Sequence, residues 1–215
     1  MTKAVLFDFD GVIAQTLPHH TRSWRHVLSP LGVEVEERDV AVNEGQPAIE
    51  IARALLRKNG VSLPEDEVQR LMAAKRAHYR RTTAAKPYPG VEKVLDDLRS
   101  SGFKLGLVTG SVWDNLVAAV GEDLLRKFDV VITSEHVSRG KPSPDPYLEA
   151  ARRLGLEPSA CVVVENAPLG IRSAKAAGMR CIAVTSTLPA EILSEADCLI
   201  GKISELTPDH PCLTG

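Results

Sequence analysis

Val5-Leu6-Phe7-Asp8-Phe9-Asp10-Gly11-Val12 decides the fold of this 215-residue chain, because it reads as a buried strand that ends in two charges. Ala4, Val5, Leu6 and Phe7 carry the β-propensity of a strand interior. Unpaired carboxylates are costly to desolvate, so they stand at such a place chiefly where a cation or a reaction neutralises them. Side chains alternate along extended backbone, so Asp8 and Asp10 point the same way, and Gly11 lets the chain turn sharply after them. Such a pair can divide the work: one carboxylate is nucleophile or metal ligand, the other a proton carrier. An Asp-rich turn closing a strand has the same spelling, so the pair must be weighed with the rest of the chain.

Downstream, short apolar runs alternate with helical patterns. Strands are expected over 4–7, 104–108, 130–132, 160–164, 181–184 and 198–200, and helices over 91–100, 113–120, 144–154 and 170–177. Helix-length crossovers between successive strands point to a parallel α/β sheet. The interval from Thr16 to Lys86 breaks this rhythm, with helical stretches over 19–28, 48–59 and 65–81 and no convincing strand. Gly60 reads as a helix stop, and Pro64 before Glu65, Asp66 and Glu67 as an acidic first turn. Lys86-Pro87-Tyr88-Pro89-Gly90 reads as a hinge back into the sheet. The expected organisation is a core of residues 1–15 and 87–215 with an all-helical cap over 16–86. An insert at the carboxyl end of a strand lies where open α/β sheets bind ligands, which favours a lid over a purely structural subdomain.

Composition narrows the function classes. Hydrophobic residues at 44% and charged residues at 25% suit a globular chain with a full core, and the net charge of −2 comes from interspersed acids and bases. Neither a nucleic-acid footprint nor a polybasic membrane anchor is present. No apolar stretch reaches membrane-spanning length, and no signal-peptide hydrophobic region follows Met1-Thr2-Lys3. Of the four cysteines, Cys161, Cys181, Cys198 and Cys212, the first three sit at the edges of apolar runs, with neither CxxC spacing nor histidine partners. Buried free thiols are therefore expected, not zinc or disulfides, and with them the reducing cytoplasm. A monomer is the default.

Three further strand ends repeat the design of the first. Val108-Thr109-Gly110-Ser111 offers a hydroxyl and backbone N–H groups to a phosphoryl oxygen, although Thr-Gly-Ser also caps helices. In Arg139-Gly140-Lys141-Pro142-Ser143-Pro144 the prolines stiffen the loop that presents Lys141, a residue type that is ordinarily solvated. Val162-Val163-Val164-Glu165-Asn166 brings an acid and an amide oxygen out of a buried strand, which suits a hard cation. In a parallel sheet, Asp8, Asp10, Thr109, Lys141, Glu165 and Asn166 gather along one edge. Phosphoryl transfer needs that inventory: in-line attack, an acid for the leaving oxygen, and positive charge on the equatorial oxygens.

On these four motifs the whole chain resembles a haloacid dehalogenase superfamily phosphatase with a helical cap, and it is especially similar to β-phosphoglucomutase-like members. The resemblance implies a Rossmann-like α/β core whose first strand lies centrally, between those carrying Thr109 and Glu165. It implies Asp8 as the nucleophile that forms an aspartyl-phosphate. Asp10 becomes the acid/base, its main-chain carbonyl also binding Mg²⁺. Thr109, with Gly110 and Ser111, and Lys141 become the phosphate site, and Asp8, Asp10, Glu165 and Asn166 the metal site. In the cap, Thr16, His20 and Trp24 match positions of the sugar-phosphate mutases, and Lys75 a cap lysine. His20 also reads as a surface or capping residue at a hinge, and Trp24 as cap core.

Departures from the family pattern carry expectations of their own. The last motif usually ends in an aspartate, and Asn166 stands there instead. The site then loses one negative charge, metal affinity weakens, and Glu165 takes more of the coordination. Asp10 argues against halide removal, since a halide leaving group needs no proton. The cap loop Glu44-Gly45-Gln46-Pro47-Ala48 lacks the arginine with which mutases grip a second phosphate, and Gln15 replaces the usual acid. That charge deficit favours a Mg²⁺-dependent hydrolase of a small phosphorylated metabolite over a mutase. Outside the enzyme class stands a decayed phosphate-binding protein, marked by Asn166.

Overall fold

The computed structural model describes residues 2–214. Its strands are β1 (Ala4–Phe7), β2 (Lys104–Val108), β3 (Val130–Ile132), β4 (Cys161–Glu165), β5 (Arg180–Val184) and β6 (Cys198–Ile200). Its α-helices are α1 (Leu17–Leu28), α2 (Glu37–Ala41), α3 (Ala48–Lys58), α4 (Glu65–Thr82), α5 (Val91–Ser100), α6 (Trp113–Leu125), α7 (Asp145–Leu154), α8 (Pro168–Ala176) and α9 (Pro211–Thr214).

β1 has no polar face, and the sheet shows why. Ala4 and Leu6 enter a core shared with Tyr147 and Ala151 of α7 and Ile171 of α8, while Val5 and Phe7 enter a second core with Leu95 and Leu98 of α5 and Leu116 of α6. Helices thus cover both faces, as parallel strands require. The six strands run parallel in the order β3-β2-β1-β4-β5-β6, with Phe7 in register with Leu107 on one side and Val164 on the other. The expected α/β class, the parallel sheet and the central place of the first strand are all found. The chain moves out from β1 to β3 and then returns to β4 on the other flank, so a crevice opens at the carboxyl end of β1.

Between β1 and α5 the chain is helical. α1 and α3 each pack on α4, burying Trp24, Leu28, Leu55 and Met72. The acidic first turn of α4 and the left-handed Gly60 after α3 stand where the sequence puts them. The sequence reading missed α2, a five-residue helix whose signal is polar: Glu36 and Asp39 close a reciprocal capping box. The two chain crossings lie side by side, with Gln15 N–H donating to the Lys86 carbonyl at 2.9 Å and Tyr88 N–H to that of Ile13 at 2.9 Å.

The cysteine expectation is corrected in part. Cys161 and Cys181 are buried free thiols, but Cys198 on the edge strand β6 is bonded to Cys212 of α9. Cys212 lies outside the strand pattern, so nothing local showed that α9 brings the two Cα atoms to 6.5 Å, within bridging range. Free thiols therefore no longer argue for a reducing compartment. Among the described residues, no helix is long and apolar enough to cross a membrane.

Candidate active site

Each strand of the central trio delivers its polar group to the same crevice. Asp8 follows β1 and is buried, its Oδ1 accepting from Lys141 Nζ at 2.5 Å. Lys141 is 2% exposed and uses all three of its N–H donors inside the protein: Asp8, Glu165 Oε1 at 2.6 Å, and the Val108 carbonyl at 3.2 Å. The ammonium also lies over the Tyr147 ring, 4.9 Å from its centre. Burial by itself would lower Lys141, but the flanking carboxylates more than reverse this, so it stays charged. Burial pushes the Asp8 carboxyl up, Glu165 and Asp10 add to this, and Lys141 opposes it.

Asp10 sits two residues beyond Asp8, just before a glycine-dependent bend. Gly11 has φ +85°, and a Cβ there would lie 2.1 Å from Asn166 Nδ2, so only glycine permits both the turn and the approach of the two strand ends. Asp10 Oδ1 meets His20 Nε2 at 3.0 Å, and Oδ2 accepts from the Thr109 hydroxyl at 3.4 Å. His20 Nδ1 lies 2.8 Å from Lys75 Nζ. An ammonium can only donate, so Nδ1 accepts and the ring proton resides on Nε2, facing Asp10. Burial and then the Lys75 charge depress His20 below its ordinary value, so it is neutral at pH 7. Burial would raise Asp10, yet the His20 contact, with Lys75 further back, leaves it lower than usual. A neutral His20 acts there through its hydrogen bond, and the positive charge comes from Lys75. Thr16 is buried beside Asp10, near enough to help lower it, but its hydroxyl lacks a hydrogen bond of ordinary geometry.

The other expected residues fall around this pair. Thr109 is buried and also accepts from Ser111 N–H at 3.0 Å. Gly110 and Ser111 line a cavity of about 270 Å³ together with Asp10, His20, Gln46 and Lys75. Trp24 is fully buried yet reaches the wall of the same cavity, with Lys75 Nζ 5.0 Å above its ring. A second cavity, also about 270 Å³, reaches Thr109 and Lys141 beneath Gly45 and Pro47.

Glu165, expected to take the larger share of a cation, already accepts four hydrogen bonds in this geometry. Its Oε1 accepts from Lys141 and from the Tyr147 hydroxyl at 2.7 Å, and its Oε2 from the N–H groups of Asn166 at 3.0 Å and Ala167 at 3.3 Å. With four donors on two oxygens, Glu165 fixes Lys141 and the β4 turn. Asn166 donates Nδ2 to Thr187 Oγ1 and to Glu44 Oε2, both at 2.9 Å, while its own Oδ1 is buried without a partner. Sequence reading missed Tyr147 and Glu44. Tyr147 follows the apolar spacing of α7, a pattern that does not distinguish it from core. Glu44 lies in the loop that lacks the mutase arginine, and its only sequence signal is an acid beside a glycine.

An oxygen-only donor set suits a hard cation. Asp8 and Asn166 fit that role in this structure, because a buried amide oxygen with no partner is what a ligand looks like before its ion is bound.

Comparison with known proteins gives the family of the chain. A family model described as haloacid dehalogenase-like hydrolase matches residues 5–184. The validoxylamine A 7′-phosphate phosphatase of Streptomyces hygroscopicus subsp. limoneus is 33% identical over 98% of both chains. The fructose-1-phosphate phosphatase of Escherichia coli is 33% identical over 84% of this chain and 95% of its own. The crystal structure of β-phosphoglucomutase from Clostridium difficile superposes with a TM-score of 0.84 at 26% identity, covering 96% of this chain and 94% of that one.

Proposed function

We propose, because this chain belongs to the haloacid dehalogenase-like hydrolase family and is one of its phosphatases, that it hydrolyses the phosphate ester of a small sugar or polyol through an aspartyl-phosphate on Asp8. The observation that supports this most is the pairing of Asp8 with the buried Lys141 beside an Asp10 held by His20. The Asp8 carboxylate attacks phosphorus as the ester P–O bond breaks, and the departing alkoxide takes a proton from Asp10. A phosphate dianion beside Asp10 raises it by like charge, which supplies the protonated form that the substrate-free site lacks. Asp10 then removes a proton from the water that cleaves the acyl phosphate, releasing inorganic phosphate. Thr109, with Gly110 and Ser111, donates to the phosphoryl oxygens, and Lys141 exchanges the Val108 carbonyl for one of them. Residues 16–86 act as the cap over a core of 1–15 and 87–215. Asp8, the Asp10 carbonyl and Asn166 are the residues that would hold Mg²⁺. When bound, the ion supplies positive charge to the phosphoryl oxygens.

The substrate's other end lies in the cavity that Gln46, Met72 and Lys75 line, where a polyhydroxy group can hydrogen-bond. Arg76 at the same wall gives a mutase reading its one foothold, as a cation for a second phosphate. Incubation with hexose 1-phosphate, hexose 6-phosphate and polyol phosphates, with and without Mg²⁺ and with hexose bisphosphate, separates the two. Free phosphate from one or more esters, dependent on Mg²⁺, is expected. Interconversion of the hexose phosphates with little phosphate release would overturn the hydrolase reading.

A further inference from the structure

The loop between α2 and α3 places an acid where the core is short of one. Glu44 is 4% exposed, lies against Asn166, and has one carboxylate oxygen, Oε1, with no hydrogen-bond partner. Asn166 Oδ1, on the amide it touches, is equally buried and equally unpartnered. Two orphaned oxygens on contacting side chains are not explained by packing, because each would otherwise keep water. The loop is seated firmly: Gly45 has φ +85°, and a Cβ there would lie 2.7 Å from the Lys141 side chain. Around the crevice stand four carboxylates, Asp8, Asp10, Glu44 and Glu165, against the buried ammonium groups of Lys141 and Lys75 and the half-buried Arg76 of the cavity wall. With Glu44 ionised the acids outnumber the cations, an excess that a divalent cation offsets.

We propose that Glu44 is a ligand of the divalent cation, supplied by the helical segment to the core beside the neutral Asn166. The inference rests on the cation-dependent phosphatase reading above. Two consequences follow. Asn166 no longer marks a weakened site, since the charge that it lacks arrives from the α2–α3 loop. Cation binding and seating of that loop become thermodynamically linked, so that each favours the other.

The test is Mg²⁺ binding to substrate-free protein by calorimetry, with Mn²⁺ binding by electron paramagnetic resonance as a second probe, on wild type, Glu44→Gln, Asn166→Asp and the double variant. Glu44→Gln is expected to bind at least tenfold more weakly, and adding Asn166→Asp to restore affinity to within about threefold of wild type, following the charge count. Thermal unfolding checks folding independently. Without metal, Glu44→Gln melts at or above the wild-type temperature, and saturating Mg²⁺ raises its midpoint less than it raises that of wild type. Equal affinities of Glu44→Gln and wild type would overturn the role of Glu44 and leave the phosphatase reading standing. Failure of the double variant to recover would also overturn it. A wild type that binds neither Mg²⁺ nor Mn²⁺ would remove the cation site itself.

Discussion

Lys75 never touches Asp10, yet it determines which proton His20 presents to it. Its Nζ donates to His20 Nδ1 and rests over the Trp24 and Tyr79 rings, 5.0 and 5.3 Å from their centres. Burial lowers the ammonium from its ordinary value to about 8, with Asp10 opposing. The unfolded chain keeps that proton up to about 10.4, so between the two values it binds more protons than the folded one. Stability of wild type relative to Lys75→Met is therefore expected to rise with pH from about 8 toward 10, as measured by urea denaturation. Below about 8 the difference should be flat. Activity should show the opposite slope: above about 8 the neutral amine no longer fixes the His20 tautomer, and kcat falls. A pH-independent stability difference would mean that burial does not lower Lys75 in this pocket. His20 and Lys75 were legible only through family resemblance, since no local pattern pairs residues 55 positions apart.

The secondary-structure elements were legible where hydrophobic periodicity is strong. The six strands and the helices that cover them bury apolar residues at regular intervals, and the left-handed Gly60 marks the end of α3. α2 and the α2–α3 loop were not legible, because a five-residue helix held by a capping box buries only Val40 and Ala41. That loop nevertheless closes the crevice. Gly45→Ala places a methyl against Lys141 and forces alanine into left-handed backbone, which costs about 1–2 kcal/mol in the seated loop. Since about 1.4 kcal/mol is a factor of ten, kcat/KM for a phosphate ester should fall about tenfold, with the thermal midpoint shifted by only a few degrees. An unchanged kcat/KM would show that the seated loop has no part in turnover.

At the scale of the molecule, function depends on topology bringing distant residues together. Asp8 and Lys141 are 133 positions apart, and Glu44 and Asn166 are 122 apart. The parallel sheet unites the core groups because its strands share one carboxyl edge, and that much follows from alternating apolar runs. The partners of Glu165 and the Cys198–Cys212 bridge depend on side-chain directions and on a chain end that no strand pattern fixes. The proposed chemistry is transfer of the phosphoryl group to Asp8. Acid quenching during turnover of a phosphate ester, followed by peptide mass spectrometry, tests it most directly. The expected result is a phosphoryl adduct on the peptide that contains Asp8, discharged by hydroxylamine and absent from Asp8→Asn, which should lose at least about a thousandfold in kcat. Turnover without that adduct, or an adduct on another residue, would contradict it.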